Sequence, residues 1–123
     1  MSNPYLEMEL RTAPPELIVG RLLDRAVAMV RTGIGRLEVA PLESANAVAK
    51  AVDIVSELRA ALDLEAGGDT ARNLDGLYEF VARRLVLGRT SLDPGALEEA
   101  LQVVETLAAG WTEMLAQQRP RVA

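Results

Sequence analysis

The stretch LDLEAGGDTARNLDGLYEFVARRL, residues 62–85, decides how the rest of the chain is read. It has the form of one helix ending, a Gly67-Gly68 turn, and a second helix starting. The paired glycines supply the positive φ with which a helix stops and reverses. Asp69 or Thr70 then offers a side-chain oxygen to the orphan amides of the next first turn. Beyond it Leu74, Leu77, Tyr78, Val81 and Leu85 recur every three or four residues, so they share one helical face. Arg83 and Arg84 flank that face near the helix C-terminus, where the helix dipole favours cations. The stretch predicts a helical hairpin.

Proline and glycine divide the chain on either side of this hairpin into four such segments. Pro14 and Pro15, with Thr12 nearby as a cap, open a first helix that runs to about Leu37. Its apolar stripe is Ile18, Val19, Leu22, Leu23, Ala26, Val27, Val30, Ile34 and Leu37, weakened near the end by Gly33 and Gly35. Pro41 opens a second helix with a stripe through Ala45, Val48, Val52, Val55, Leu58 and Leu62. The hairpin's second helix is the third and ends near Gly88. Asp93-Pro94 starts the fourth, with Asp93 as N-cap, Pro94 at the first helical position, and Glu98 and Glu99 near the positive end. This last helix, to about residue 117, carries two apolar rows. Leu97, Leu101, Val104, Ala108, Trp111 and Leu115 form one; Ala100, Val103, Leu107 and Met114 form the other. Two rows suit a helix packed on two neighbours, and equally a helix that leaves one row open as a groove for another chain.

Four helices joined by short links predict an all-α, antiparallel up-down four-helix bundle over residues 14–117. A short N-terminal arm (1–13) precedes it and a frayed tail (118–123) follows. The arm mixes Tyr5, Leu6, Met8 and Leu10 with Glu7 and Glu9, and is too short for a stable isolated helix. It is either a fraying terminus or an apolar strap that docks on the bundle.

Composition narrows the functional classes. Among 123 residues half are hydrophobic, yet only Tyr5, Tyr78, Phe80 and Trp111 are aromatic, so Leu, Val and Ala must build the core. The absence of cysteine and histidine removes disulfides, thiol nucleophiles and the usual general base. Asp63, Glu65, Gly68 and Asp69 suggest a calcium loop, but its twelfth position is Leu74 rather than glutamate. The Gly67-Gly68 pair lacks the Gly-Lys-Ser/Thr that completes a phosphate-binding loop. Arg83-Arg84 reads as a solvated edge or an ion pair within the bundle before it reads as a phosphate site. A formal charge of −5 disfavours nucleic acid. No apolar run reaches the length of a membrane span, and the N-terminus has no secretory pattern. An acidic, soluble, cytoplasmic helical domain without enzymatic activity, metal or cofactor is expected.

The order of residue types is more specific than the bundle. Leu62-Asp63, Gly67-Gly68, Ala71, Asn73-Leu74, Leu77-Tyr78, Phe80, Arg83-Arg84-Leu85-Val86, Asp93, Leu97, Glu99 and Trp111 stand in an order that resembles the FliS family of flagellin export chaperones. Asn3-Pro4-Tyr5 and Thr12-Ala13-Pro14-Pro15 are similar to that family's opening. The first helix departs from it: Leu22-Leu23-Asp24-Arg25 stands where the family carries Leu-Tyr-Asp/Asn-Gly, Gly20-Arg21 falls at usually apolar positions, and the arm is a few residues shorter.

The resemblance implies a cytoplasmic chaperone that holds the C-terminal segment of flagellin, prevents its premature polymerisation, and delivers it to the flagellar export gate. It implies client contacts at Val103, Leu107 and Met114 of the fourth helix and at Tyr78 and Arg84 of the third. Tyr5, Leu6, Met8 and Leu10 would cover the groove until a client displaces them. Asn73 and Asp63 read as structural, tying the hairpin turn to its helices. An open groove would also favour a homodimer when no client is present. Two other readings stay open: a bundle adaptor or export chaperone with a non-flagellin client, and a small helical enzyme working through carboxylates.

Overall fold

The computed structural model describes residues 15–117, and every element in that range is an α-helix. They are α1 (Pro15–Arg36), α2 (Pro41–Ala60), α3 (Leu64–Thr90) and α4 (Pro94–Gln117). Each helix packs on its neighbours in sequence and α4 closes against α1, giving the expected up-down-up-down square. Ion pairs fix the antiparallel register. Arg59 near the end of α2 meets Asp75 early in α3, Arg84 late in α3 meets Glu99 early in α4, and Arg31 late in α1 meets Glu105 in α4. The arm and the tail lie outside the described residues.

The core is aliphatic. Leu23, Ala26 and Val30 of α1 meet Val48, Ala51, Val55 and Leu58 of α2, Val81 and Leu85 of α3, and Leu97, Ala100 and Val104 of α4. The buried seam of α2 runs Ser44, Ala47, Val48, Ala51, Ile54, Val55, Leu58, repeating every seven residues. That repeat is the mark of shallow-angle packing between neighbouring helices. The expected stripe through Ala45 and Val52 lies to one side of it, and both residues are only half-buried. Small side chains explain the offset: Ser44, Ala47 and Ala51 are nearly silent in a hydrophobicity pattern, yet they let α2 approach closely. Ser44 is buried and donates its hydroxyl to the Gly33 carbonyl of α1 at 2.6 Å, which satisfies the polar group.

The hairpin differs from its sequence reading in two respects. The turn itself is Ala61–Asp63, and α3 begins at Leu64 with Asp63 as its N-cap. The Asp63 carboxylate accepts from the amides of Glu65 (3.1 Å) and Ala66 (3.0 Å), whereas the expected cap, Asp69, pairs with the Arg72 side chain. Of the two glycines only Gly68 has a positive φ (57°, with ψ −136°), and it kinks α3 after its first turn instead of ending a helix. Leu77 is the second difference. Placed with the core face by its spacing, it is 40 % exposed, as is neighbouring Phe80 at 41 %. The start of α4 follows expectation: Asp93 accepts from the amides of Gly95 at 3.0 Å and Ala96 at 3.4 Å. The last turn of α3 extends to Thr90, and Gly88 is buried because Leu97 packs directly over it.

Candidate functional site

Two adjoining apolar features of the described surface both involve α3 and α4. The first is a cavity of about 340 Å³ at the end of the bundle where α1 begins and α4 ends. Val19, Leu58, Leu74, Tyr78 and Trp111 bring one or more walls from each of the four helices. The turn before α3 and its first residues, Asp63 and Gly67 among them, close one side. Tyr78 is 5 % exposed, and its burial pushes the phenol pKa above the usual value, so the hydroxyl stays neutral well past physiological pH. Trp111 is held in place by its indole N–H, which donates to the Glu16 carbonyl at 2.8 Å. Gly20 lies beneath the ring: a Cβ there would stand 3.2 Å from Trp111 Cδ1. The unusual glycine of the first helix therefore has a local reason, since it seats the tryptophan against α1.

The second feature is the seam between α3 and α4. Arg84 and Glu99 stand 2.9 Å apart across it. Because the helices run antiparallel at 1.5 Å per residue, one turn away from that pair Phe80 comes level with Val103. The next turn brings Leu77 level with Leu107. The exposed apolar flank of α3 thus faces the half-buried second row of α4, Val103 and Leu107, both of which pack inward on the core. Met114 continues this row towards the end of the bundle that holds the cavity and is half-buried. The wide apolar face of α4 is shared between its two neighbours. Leu97 and Val104 are fully buried, Glu105 pairs with α1, and Glu99 pairs with α3.

The candidate residues from the sequence thus fall in three places. Val103, Leu107 and Met114 share one side of α4 along the seam. Tyr78 is not on that outer surface but in the wall of the end cavity. Arg84 borders the seam with its Nε buried and committed to the Glu99 ion pair, although the pair lacks hydrogen-bond alignment. Arg83 pairs with Glu79 at 3.6 Å, so both arginines serve the bundle as ion pairs. Tyr5, Leu6, Met8 and Leu10 lie outside the described residues. Of the two structural assignments, Asp63 is the cap of α3, and Asn73 is exposed. Sequence reasoning missed Phe80 and misplaced Leu77. Phe80 sits two residues from Tyr78 and so off the core stripe, and a large aromatic off the stripe was the available signal. Trp111, read as core, proved to line the cavity.

No three acidic side chains converge on a metal-sized site among the described residues, and none of the helices is long and apolar enough to cross a membrane. The site offers apolar contact along a seam and a deep socket at its end, edged by charge pairs, which is what an amphipathic helix needs from its partner.

The sequence as a whole has known relatives. Residues 1–118 match the sequence pattern of the family described as "Flagellar protein FliS". The chain is 33 % identical over 107 residues to the flagellar secretion chaperone FliSB of Pseudomonas aeruginosa, covering 86 % of this chain and 85 % of that one. It is 31 % identical over 111 residues to the flagellar secretion chaperone FliS of Salmonella typhimurium, covering 89 % and 82 % respectively. With the flagellar secretion chaperone FliS of Vibrio cholerae it shares 27 % identity over 110 residues, covering 89 % and 81 %.

Proposed function

Because the chain belongs to the FliS family of flagellar secretion chaperones, we propose that it binds the C-terminal segment of flagellin in the cytoplasm, keeps it from polymerising, and delivers it to the flagellar export gate. The observation that carries this reading is the apolar seam of α3 and α4 running towards the end cavity. Leu77 and Phe80 keep about two-fifths of their surface in water on a helix whose core residues Val81 and Leu85 are fully buried. A client segment that is disordered in solution folds as an amphipathic helix along the seam and places anchors at i, i+3, i+4 spacing. Ordering that segment consumes part of the gross contact energy, so the grip remains reversible and the client can be released.

Val103, Leu107 and Met114 supply the α4 bank of the groove, and Phe80 and Leu77 the α3 bank. Arg84 with Glu99 marks its charged border. Tyr78 acts from beneath as part of the socket floor. Residues 1–13 lead into α1, and near the start of that helix the Glu16 carbonyl accepts from the Trp111 indole in the socket wall. In the free protein Tyr5, Leu6, Met8 and Leu10 cover the apolar surface, and the client displaces them. An uncovered groove favours pairing of two copies of the chain.

Co-purification separates this reading from that of a chaperone for another client. Full-length flagellin is expected to be retained by the immobilised protein, and flagellin lacking its C-terminal segment is expected to pass through. Equal retention of both, or of neither, contradicts the assignment. Deleting residues 1–10 should change client affinity, and an unchanged dissociation constant removes the role of the arm.

A further inference from the structure

The first turn of α3 is attached to the protein differently from the rest of that helix. Residues 63–67 are all exposed, so the turn anchors nothing in the core. Asp63 caps it: the amides of Glu65 and Ala66 donate to the Asp63 carboxylate, and the amide of Gly67 donates to the Asp63 carbonyl at 2.8 Å. Immediately beyond, Gly68 at φ 57°, ψ −136° interrupts the helix with a conformation that costs any residue with a side chain substantial strain. The turn is therefore a separate unit, bounded by a cap on one side and a glycine joint on the other.

That unit is also a wall of the end cavity. Asp63 and Gly67 line it from the turn, while Leu58, Tyr78 and Trp111 line it from elements fixed to the core. The turn also carries Leu64, 45 % exposed. A wall of an apolar socket that joins its helix through a positive-φ glycine is placed to adjust to what enters.

We propose that residues 63–67 form a flap hinged at Gly68, which adjusts the end cavity to the apolar side chain seated in it. The inference rests on the reading of that cavity as the client's socket. It adds that one wall is adaptable, so the socket accepts anchors of different size while the α3–α4 seam stays rigid.

Amide hydrogen exchange on the full chain tests the hinge. The amides of Glu65, Ala66 and Gly67 are expected to exchange together, at least about tenfold faster than those of Tyr78–Leu85. Asp63→Ala should speed the first group by about five- to tenfold, the usual worth of an N-cap, and leave the second unchanged; Asp63→Asn, which keeps a capping oxygen, should restore the original rate. Exchange of both groups at one rate, or acceleration of both by Asp63→Ala, overturns the proposal. Adding the flagellin C-terminal segment should slow the flap amides. A segment that binds by calorimetry yet leaves them unchanged overturns the flap and leaves the proposed function standing. No heat of binding removes the proposed function, while the two Asp63 variants still decide the hinge.

Discussion

Phe80 and Leu77 occupy the flank of α3 beside the fully buried Val81 and Leu85. Their removal costs the fold little, because surface side chains away from caps and cavities change stability by about 0.5 kcal/mol or less. In the proposed complex they are anchors, and truncating an interface anchor commonly costs about 2 kcal/mol or more of binding free energy. Phe80→Ala is therefore expected to keep the urea midpoint and weaken client binding by more than about tenfold. Leu97→Ala, in the fully buried row, should reverse the pattern, losing about 2–5 kcal/mol of stability in the same denaturation. Charge gives a second residue-level expectation. Arg59 donates to Asp75 at 2.6 Å, and that hydrogen bond, opposed by desolvation, holds the Asp75 carboxyl below its ordinary value. A carboxyl lowered in the folded state contributes its stability above the unfolded pKa and loses it as pH falls through the folded one. An NMR titration should find Asp75 ionised below the range of a free aspartate, and Arg59→Ala should return it to that range.

At the scale of elements, helix boundaries carry the most testable energetics. Asp93→Ala removes the capping oxygen from the start of α4 and should cost about 1 kcal/mol, measured as a lower denaturant midpoint at unchanged slope. Gly88→Ala is expected to cost about 1–3 kcal/mol by overpacking, because the new methyl would meet the side chain of Leu97. These positions also show what the sequence disclosed. The proline and aspartate punctuation marked the starts of α2 and α4 to the residue, because a cap and a fixed φ are local chemistry. The α2–α3 link was less legible, since two nearby groups could cap: Asp63 and Asp69 both precede helical sequence, and only packing decides which one does. The heptad seam of α2 was hidden for another reason. Ser44, Ala47 and Ala51 contribute through their small size, which periodicity of hydrophobic residues does not register.

Over the described residues, four helices share one core, and the α3–α4 seam leading to the end socket joins the exposed Leu77 and Phe80 to the second apolar row of α4. The bundle and the family resemblance were legible because they depend on patterns spread through the chain. The placement of Tyr78 in the socket and of Phe80 and Leu77 outside it depends on a rotation of α3 by a fraction of a turn. No spacing argument fixes that rotation when the apolar face is wide. In the proposed function this seam is the resting place of a folding client helix. Isothermal titration calorimetry of the full chain against the flagellin C-terminal segment, repeated at several temperatures, tests it most directly. Saturable binding is expected, with a large negative heat-capacity change, the mark of apolar burial coupled to ordering. The absence of binding, or binding with a heat-capacity change near zero, would contradict the proposed function.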